Sequence, residues 1–443
     1  VHLTSPKVIR WKDRLAQLNS FDVFMLHQKR AFLFPPRPIC DELVELFFTW
    51  VHPTVPVIDR CEFMLQYQGD AGNHPSPLLL HAILLAGSRF SKSSEFSCID
   101  CSTAARLSLY ERAEALYDAD YELNSITIVQ ALILIAWYWE FPAGICKSAF
   151  YWIGAAITVA VDSGTLGNLK NTNIAEADRR VWKRIWWALF TRDRFIAMAL
   201  DQPAQLNFRD VDLDELTDED FREDLNSEAH QVTSPIHIHF FLQYTRLYKI
   251  MDSIIGEKSP LESTDEAHGN RPERIKASLR LWLHDCLISA HGVPQRHQFW
   301  DSYLYTTYYT VICYVHRVDI RFSDWEQPLG EQGDSSVHLA AHAADMITEI
   351  SWKLLQVDEL SYLSALPLYS LSSALMVYAS LLSASALIRR RESILDKMRT
   401  CANILRHISS VWQARETFHP IVTSILSCTA LKERRQRSLS RHK

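Results

Sequence analysis

Seven carboxylates crowd the stretch from 210 to 220, at Asp210, Asp212, Asp214, Glu215, Asp218, Glu219 and Asp220. Alternating aspartates of this kind can offer oxygens to calcium or magnesium. An EF-hand is excluded, because the position that needs its turn glycine holds Glu215 and the position that needs its bidentate glutamate holds Phe221. A solvated acidic loop or an acidic interaction surface is the better reading. Cys98 and Cys101 make a CxxC without a second pair of ligands nearby in sequence. His338, His342 and Asp345 follow at spacings of four and three, so they share a helix face on which a metal can be chelated, although exposed helix-face histidines are the ordinary case. The sequence holds no GxSxG elbow, no GxxxxGK[ST] phosphate loop, no GxGxxG and no HExxH. It therefore offers no catalytic constellation of the common kinds, and no metal or cofactor site is assigned to the chain.

The most informative chemistry lies on one helix, RRVWKRIWWALFTRDRFIAMAL from Arg179 to Leu200. Its apolar stripe runs through Trp182, Ile185, Trp186, Leu189, Ile196 and Leu200, and Asp193 falls in that stripe. A carboxylate pointing at a core needs a partner. The expectation is a structural ion pair with an arginine from another helix, Arg89 or Arg317, each of which ends an apolar helical run. The other face carries Arg180, Lys183, Arg184, Trp187 and Arg194. Bases interleaved with a ring can grip phosphate or stack a nucleobase, but a solvated or partner-facing side is the expectation. Trp137, Tyr138, Trp139, Tyr151, Trp152, Trp186 and Trp187 are rich enough to line an effector pocket, with core packing the plainer reading.

These residues must be positioned by helices. Apolar positions recur with a 3.6-residue period, as in Ile275, Leu279, Trp282, Leu283, Cys286 and Leu287 after Pro272. The spacing predicts further helices near 40–51, 76–90, 104–122, 126–140, 147–163, 176–200, 234–255, 300–320, 337–356, 368–388, 393–414 and 420–432. Longer polar or acidic loops are expected at 202–233, 256–272 and 322–336. Only 12 glycines occur in 443 residues, well below the usual ~7%, which favours helices over hairpins. The fold class expected is all-α: a large multi-helix bundle with no room for a sheet. The 48% hydrophobic and 22% charged residues are those of a chain with a substantial core.

Net charge of −6 argues against a broadly basic nucleic-acid surface. Nine scattered cysteines do not form a secreted disulfide framework and suggest a reducing compartment. Residues 360–388 carry no charge and precede Arg389, Arg390 and Arg391, which resembles a membrane span, but Pro367 and the many serines favour a buried bundle helix. The chain opens on Val1 with no apolar signal core, as a fragment of a longer protein would.

Several stretches together resemble the fungal-specific transcription factor domain, the regulatory region of fungal binuclear zinc-cluster regulators. LVELFFTWVHPTVPVIDRCEF (43–63) is similar to that family's opening helix and turn, with His52, Pro53, Pro56 and Phe63 fitting, and PLLLHAILLAGSRF (77–90) to its next helix. SITIVQALILIAWY and AFYWIGAAITVAVDSGTL resemble its paired helices. The strongest likeness is RRVWKRIWWALFTRDRFIAMALDQPAQL, where Arg184, Trp186, Trp187, Asp193, Arg194 and Pro203 match the family pattern, which commonly has Gly-Arg where Asp201 and Gln202 stand here. Asp210 and Asp212 resemble its following D.D, His316 and Arg317 its helix ending in His-Arg, and VWQARE (411–416) its terminal element. FLFPP (32–36) suggests the subgroup resembling cutinase transcription factors.

The resemblance implies an all-helical regulatory domain over 37–430 after an N-terminal arm over 1–36. The basic tail over 431–443 carries Lys432, Arg434, Arg435 and Arg437, which read either as a nuclear-import signal or as solvated terminal charges. It implies a nuclear protein, often a homodimer, that reaches DNA only through a zinc-cluster module absent from this chain. Transcriptional co-regulators are expected partners, with the balance of repressing and permissive states shifted by a small-molecule effector, a partner protein or the protein's own activation segment. Zinc is expected in that module alone, no membrane contact is expected, and the chain is expected not to be an enzyme. The competing reading is an all-α enzyme such as an isoprenoid cyclase holding magnesium on its acidic loop.

Overall fold

The computed structural model describes residues 14–411, apart from 70–73, 93–98, 139–146, 165–173, 208–213, 224–232, 256–270, 290–297, 323–330 and 384–390, together with 423–424. The described residues form fourteen α-helices and no strand, so the all-α reading of the apolar period holds. In chain order these are α1 (Ser20–Gln28), α2 (Arg37–Leu46), α3 (Arg60–Gln68), α4 (Pro77–Ser88), α5 (Ile99–Asp118), α6 (Ser125–Trp137), α7 (Ala149–Asp162), α8 (Glu176–Leu200), α9 (Pro235–Ile255), α10 (Arg271–Ser289), α11 (Gln298–Phe322), α12 (Glu331–Gln356), α13 (Leu366–Ser383) and α14 (Arg391–Val411). The chain divides into two compact units, Val1–Tyr248 and Lys249–Lys443.

In the first unit, short polar side chains decide where helices begin. Asn19, Asp59, Asn124 and Ser148 accept from the backbone N–H groups of Asp22, Glu62, Ile126 and Tyr151, satisfying donors that the first helical turn leaves orphaned. Pro77 opens α4, where its missing N–H costs nothing. Two helices, α1 and α3, lie outside the segments expected from periodicity. α1 buries only Leu26 and leaves Phe21 and Phe24 exposed, so it carries no apolar stripe to read.

The centre of this unit is built from helices that are apolar all round. Every residue of α4 from Leu78 to Ser88 is buried, as is every residue of α6 from Val129 to Trp137. α4 packs on α2, α5 and α6, and α6 on α7. A large side chain fully buried here contributes about 1.5–3 kcal/mol from removal of its surface from water. The α2–α4 contact depends on Gly87, because a Cβ there would sit 2.1 Å from the Leu43 carbonyl oxygen. After α2 the chain widens into a π-helical turn over Phe47–Val51 and a 3₁₀ turn over His52–Thr54. There Gln130 of α6 donates to the Val57 carbonyl at 2.6 Å and fixes the turn to the central helix.

In the second unit α11, α12, α13 and α14 pack on one another. The described part of the uncharged stretch 360–388 holds a 3₁₀ turn over Leu360–Leu363 and the helix α13. Ser370 and Ser372 donate to the carbonyls four residues back, and Thr310 of α11 donates to the Ser370 hydroxyl at 2.7 Å. These bonds let hydroxyls lie buried without penalty. No helix of the described residues is long and apolar enough to cross a membrane. α12 begins at Glu331, inside the stretch expected to be a loop from 322 to 336. The expected helix at 420–432 and the tail residues Lys432, Arg434, Arg435 and Arg437 lie outside the described residues, as does most of VWQARE.

Candidate functional site

α8 carries the densest group of singled-out residues, and it is buried all round rather than on one side. Every residue from Arg184 to Met198 is buried. The expected solvated face is therefore corrected: Arg184 and Trp187 are each 1% exposed and Arg194 is 3% exposed. The reason is that the chain after α8 folds back over that face. Trp187 donates through Nε1 to the Asp214 carbonyl at 3.2 Å, and Lys183 pairs with Asp220 at 2.7 Å.

Asp193 does point into the core, but its expected partner is corrected too. Its carboxylate accepts from the backbone N–H groups of Gln205 at 3.0 Å and Leu206 at 3.0 Å, and from the Nη1 of the adjacent Arg194 at 2.5 Å. Arg194 then donates through Nη2 to the Leu206 carbonyl at 2.7 Å. Arg89 instead lies over the Tyr138 ring, while Arg317 lies over Tyr314 and donates to the Tyr369 hydroxyl. Burial pushes the Asp193 carboxyl up, against the pull of the Leu206 and Gln205 N–H groups and the guanidinium. Adjacent helical residues do not ordinarily face each other. Here both reach the same returning loop, and the pair clamps it.

The clamp extends to α7. Gln205 donates through Nε2 to the Phe150 carbonyl at 2.9 Å, and a Cβ on Gly154 would meet the Gln205 Oε1 at 2.4 Å. At the mouth of the loop Asp201 adopts φ +53°, in the left-handed region, and its N–H and that of Gln202 close on the Ala197 carbonyl. Such a helix-ending position favours glycine and tolerates aspartate, which accounts for an aspartate where the family commonly has glycine. Pro203 follows, exposed. Asp210 and Asp212 lie outside the described residues.

A second polar group surrounds Arg184. Its guanidinium lies over the Phe221 ring and in the field of Asp59, Glu223 and Asp220. Burial lowers its pKa, and those carboxylates oppose the fall. Close to it in electrostatic reach, His52 is fully buried with Nε2 2.9 Å from the Ile58 carbonyl. Burial lowers the His52 pKa from 6.5 to about 3, helped by Arg184, His237 and Arg60. The unfolded chain then binds a proton that the folded chain rejects across that window, so stability falls as pH drops through it. His52→Gln is expected to remove about 1.4 kcal/mol per pH unit of this dependence between about pH 6 and pH 4. Urea unfolding at a series of pH values checks it, and an unchanged slope would contradict the buried neutral ring.

The remaining chemistry-bearing residues are used structurally. Asp220 accepts from Thr217 as well as Lys183, and Glu219 pairs with Arg222, so these two carboxylates of the acidic run are engaged by protein groups. His338 and His342 are exposed, while Asp345 accepts from Tyr378 at 3.0 Å and pairs with Lys397 at 2.6 Å. His316 is buried, which lowers its pKa. Cys98 and the Cys101 side chain lie outside the described residues. The aromatic residues do not gather into one wall: Trp137 packs on Phe90, Trp152 on Tyr110 and Tyr117, Trp186 on Trp182, and Trp187 on Phe190. Tyr151 is exposed, and Trp139 lies outside the described residues.

The described residues thus form an all-helical body braced by a buried Asp-Arg clamp at the end of a tryptophan-rich helix. The chain belongs to the fungal specific transcription factor domain family, whose model matches residues 44–288 and so takes in α3 to α9, nearly all of α10 and the clamp. It is 38% identical to cutinase transcription factor 1 alpha of Fusarium vanettenii over 99% of this chain and 48% of that protein. It is 28% identical to the acetamidase regulatory protein of Aspergillus fumigatus over 86% of this chain and 48% of that protein. Cutinase transcription factor 1 beta of Fusarium vanettenii is 31% identical over 50% of this chain and 27% of its own length. The chain thus spans about half the length of the first two of these relatives.

Proposed function

We propose that this chain is the regulatory domain of a fungal zinc-cluster transcription factor, controlling transcription by RNA polymerase II from the nucleus and meeting DNA through a module outside these residues. The observation that carries the reading is the match of the family to residues 44–288, in which the motif residues Asp193 and Arg194 form one buried clamp and Arg184 is buried in a second polar group. Relatives named as a transcription factor and as a regulatory protein support it. The net charge of −6 and the burial of Arg184 and Arg194 agree with a body that does not itself grip nucleic acid. Zinc belongs with the DNA-reading module in this proposal. Homodimer formation, co-regulators and a small-molecule effector are part of the same reading: each acts by shifting the domain between conformations that differ in activity. The basic tail with Lys432, Arg434, Arg435 and Arg437 serves import. An enzymatic role has no comparable support.

The test is to join the chain to an unrelated DNA-binding domain and measure transcription of a reporter carrying that domain's site. Expression above or below that given by the DNA-binding domain alone is expected. A fusion that is folded, nuclear and equally abundant but leaves the reporter unchanged under varied growth conditions would overturn the proposal.

A further inference from the structure

Three side chains that no step above requires converge beside Arg184. Asp59 precedes α3, Cys61 lies in its first turn, and Glu223 follows the 3₁₀ turn Asp218–Phe221. One carboxylate oxygen of Asp59, the Cys61 Sγ and one carboxylate oxygen of Glu223 all lie within 4.8 Å of one another. Cys61 and Glu223 are buried and Asp59 is half-buried.

The decisive feature is Glu223, which is 4% exposed. Its Oε1 accepts from the Arg60 backbone N–H at 3.3 Å and from the Thr233 hydroxyl at 3.1 Å, while its buried Oε2 meets no N–H or O–H donor and the carboxylate's remaining partner is the weakly donating Cys61 thiol. A buried carboxylate oxygen held by no strong donor is costly and favours an electrophile. Asp59 is placed similarly: Oδ1 is committed to the Glu62 N–H as a helix cap at 3.0 Å, which leaves the second oxygen for another role. We propose that Asp59, Cys61 and Glu223 bind a single divalent zinc ion.

The donor set selects the metal. One thiolate with two carboxylates suits a borderline cation, and calcium and magnesium disfavour sulfur. Around a tetrahedral zinc ion with bonds of 2.0–2.3 Å, donor atoms stand about 3.3–3.7 Å apart, so small side-chain rotations close the observed group. Asp59 opens toward solvent, which supplies water as the fourth ligand. Arg60 and Arg184 balance the two carboxylates, and the thiolate offsets half the charge of the metal. Burial and Glu223 push the Cys61 thiol up to about 12, so the metal-free thiol is protonated and zinc binding releases that proton to water. This ion is separate from a zinc cluster in a DNA-reading module. It joins the start of α3 to the segment that covers α8, and it runs against the sequence expectation of no metal in the chain.

The test uses the full chain stripped of metal and titrated with cobalt(II). One equivalent is expected to give a thiolate-to-cobalt charge-transfer band in the near ultraviolet together with the visible bands of a tetrahedral ion, both abolished by one equivalent of zinc. Cys61→Ser should remove the charge-transfer band, and Glu223→Gln should weaken cobalt binding at least about tenfold, with circular dichroism showing that each variant folds. If one of the two does not fold, the other decides. Absence of the band at stoichiometric cobalt would overturn the proposal, as would a band that survives Cys61→Ser and so belongs to another cysteine. Because the readout is metal binding, its failure leaves the transcriptional reading untouched.

Discussion

Asp193→Ala is expected to lower the stability of the unit Val1–Tyr248 by about 3–5 kcal/mol, a large share of what a domain has available. The carboxylate is 1% exposed and holds three donors at once: the Gln205 and Leu206 N–H groups and the Arg194 guanidinium. Truncation leaves all three buried without that acceptor. Arg194 keeps only its bond to the Leu206 carbonyl and its place over the Phe190 ring, so a charge is left uncompensated in the core. Asp193→Asn should cost less, since one amide oxygen still accepts from the loop, although its NH₂ group then faces donors. The double variant Asp193→Leu with Arg194→Met should recover part of the Asp193→Ala loss, because replacing both members of a buried pair by apolar groups is less costly than orphaning one. Chemical denaturation monitored by tryptophan fluorescence checks the order Ala, Asn, double variant. A loss below about 1 kcal/mol for Asp193→Ala would mean that water reaches Arg194 and the clamp is not a core element.

The functional consequence follows from what the clamp holds. It fixes 205–206 against α8, and Gln205 fixes the same loop to the Phe150 carbonyl of α7. The chain leaving this loop then covers Trp187 and Lys183. Losing the clamp should therefore release the cover over the α8 face and alter output in the reporter fusion by more than the fall in protein abundance explains. A second arrangement of this segment is the kind of bistable element through which an effector can act.

Much of this was legible in the sequence because burial follows periodicity. The long helices α8, α9, α11 and α13 follow from apolar residues recurring at helical spacing, and Asp193 stands out because it interrupts the stripe of α8. What periodicity misses is a short helix with little to bury. That describes α1, which buries only Leu26; α3 buries Cys61, Phe63 and Tyr67 but is too short to show a period, and its signal is Asp59 followed by Glu62, the start of a capped helix. The partner of Asp193 was missed because adjacent residues on an isolated helix diverge. Only the returning loop makes Arg194 the neighbour, and no local rule contains that loop. The basic residues of α8 suggest a solvated face in sequence because charge on a helix usually means water. Here the covering segment brings its own carboxylates, so charge marks an interface within the unit. The tertiary convergence of Asp59, Cys61 and Glu223 was likewise invisible, since Glu223 is far from the other two in sequence.

Gly87→Ala should be nearly as damaging, by about 3 kcal/mol or more, for a reason that contains no chemistry at all. The added methyl would stand 2.1 Å from the Leu43 carbonyl oxygen, 2.9 Å from its carbon and 3.3 Å from the Phe47 nitrogen. These are backbone atoms of α2 and of the turn that follows, so no side chain can swing aside. Either α2 moves away from α4, opening gaps around Leu43, Val44 and Phe47, all of which are buried, or α4 shifts against α5 and α6, with which it packs. Alanine ordinarily stabilises a helix interior by about 0.5–1 kcal/mol relative to glycine. A destabilised variant would therefore show that close approach of two backbones, and not flexibility, is what the position requires. Gly154→Ala supplies the contrast within the same unit. Its clash is with the end of the Gln205 side chain, a group that can rotate, so its loss should be smaller and confined to the bond with the Phe150 carbonyl. If the two variants prove equally mild, α2 and α4 do not pack at the distance described. If Gly87→Ala alone unfolds at markedly lower denaturant, the turn carrying His52 owes its position to that contact.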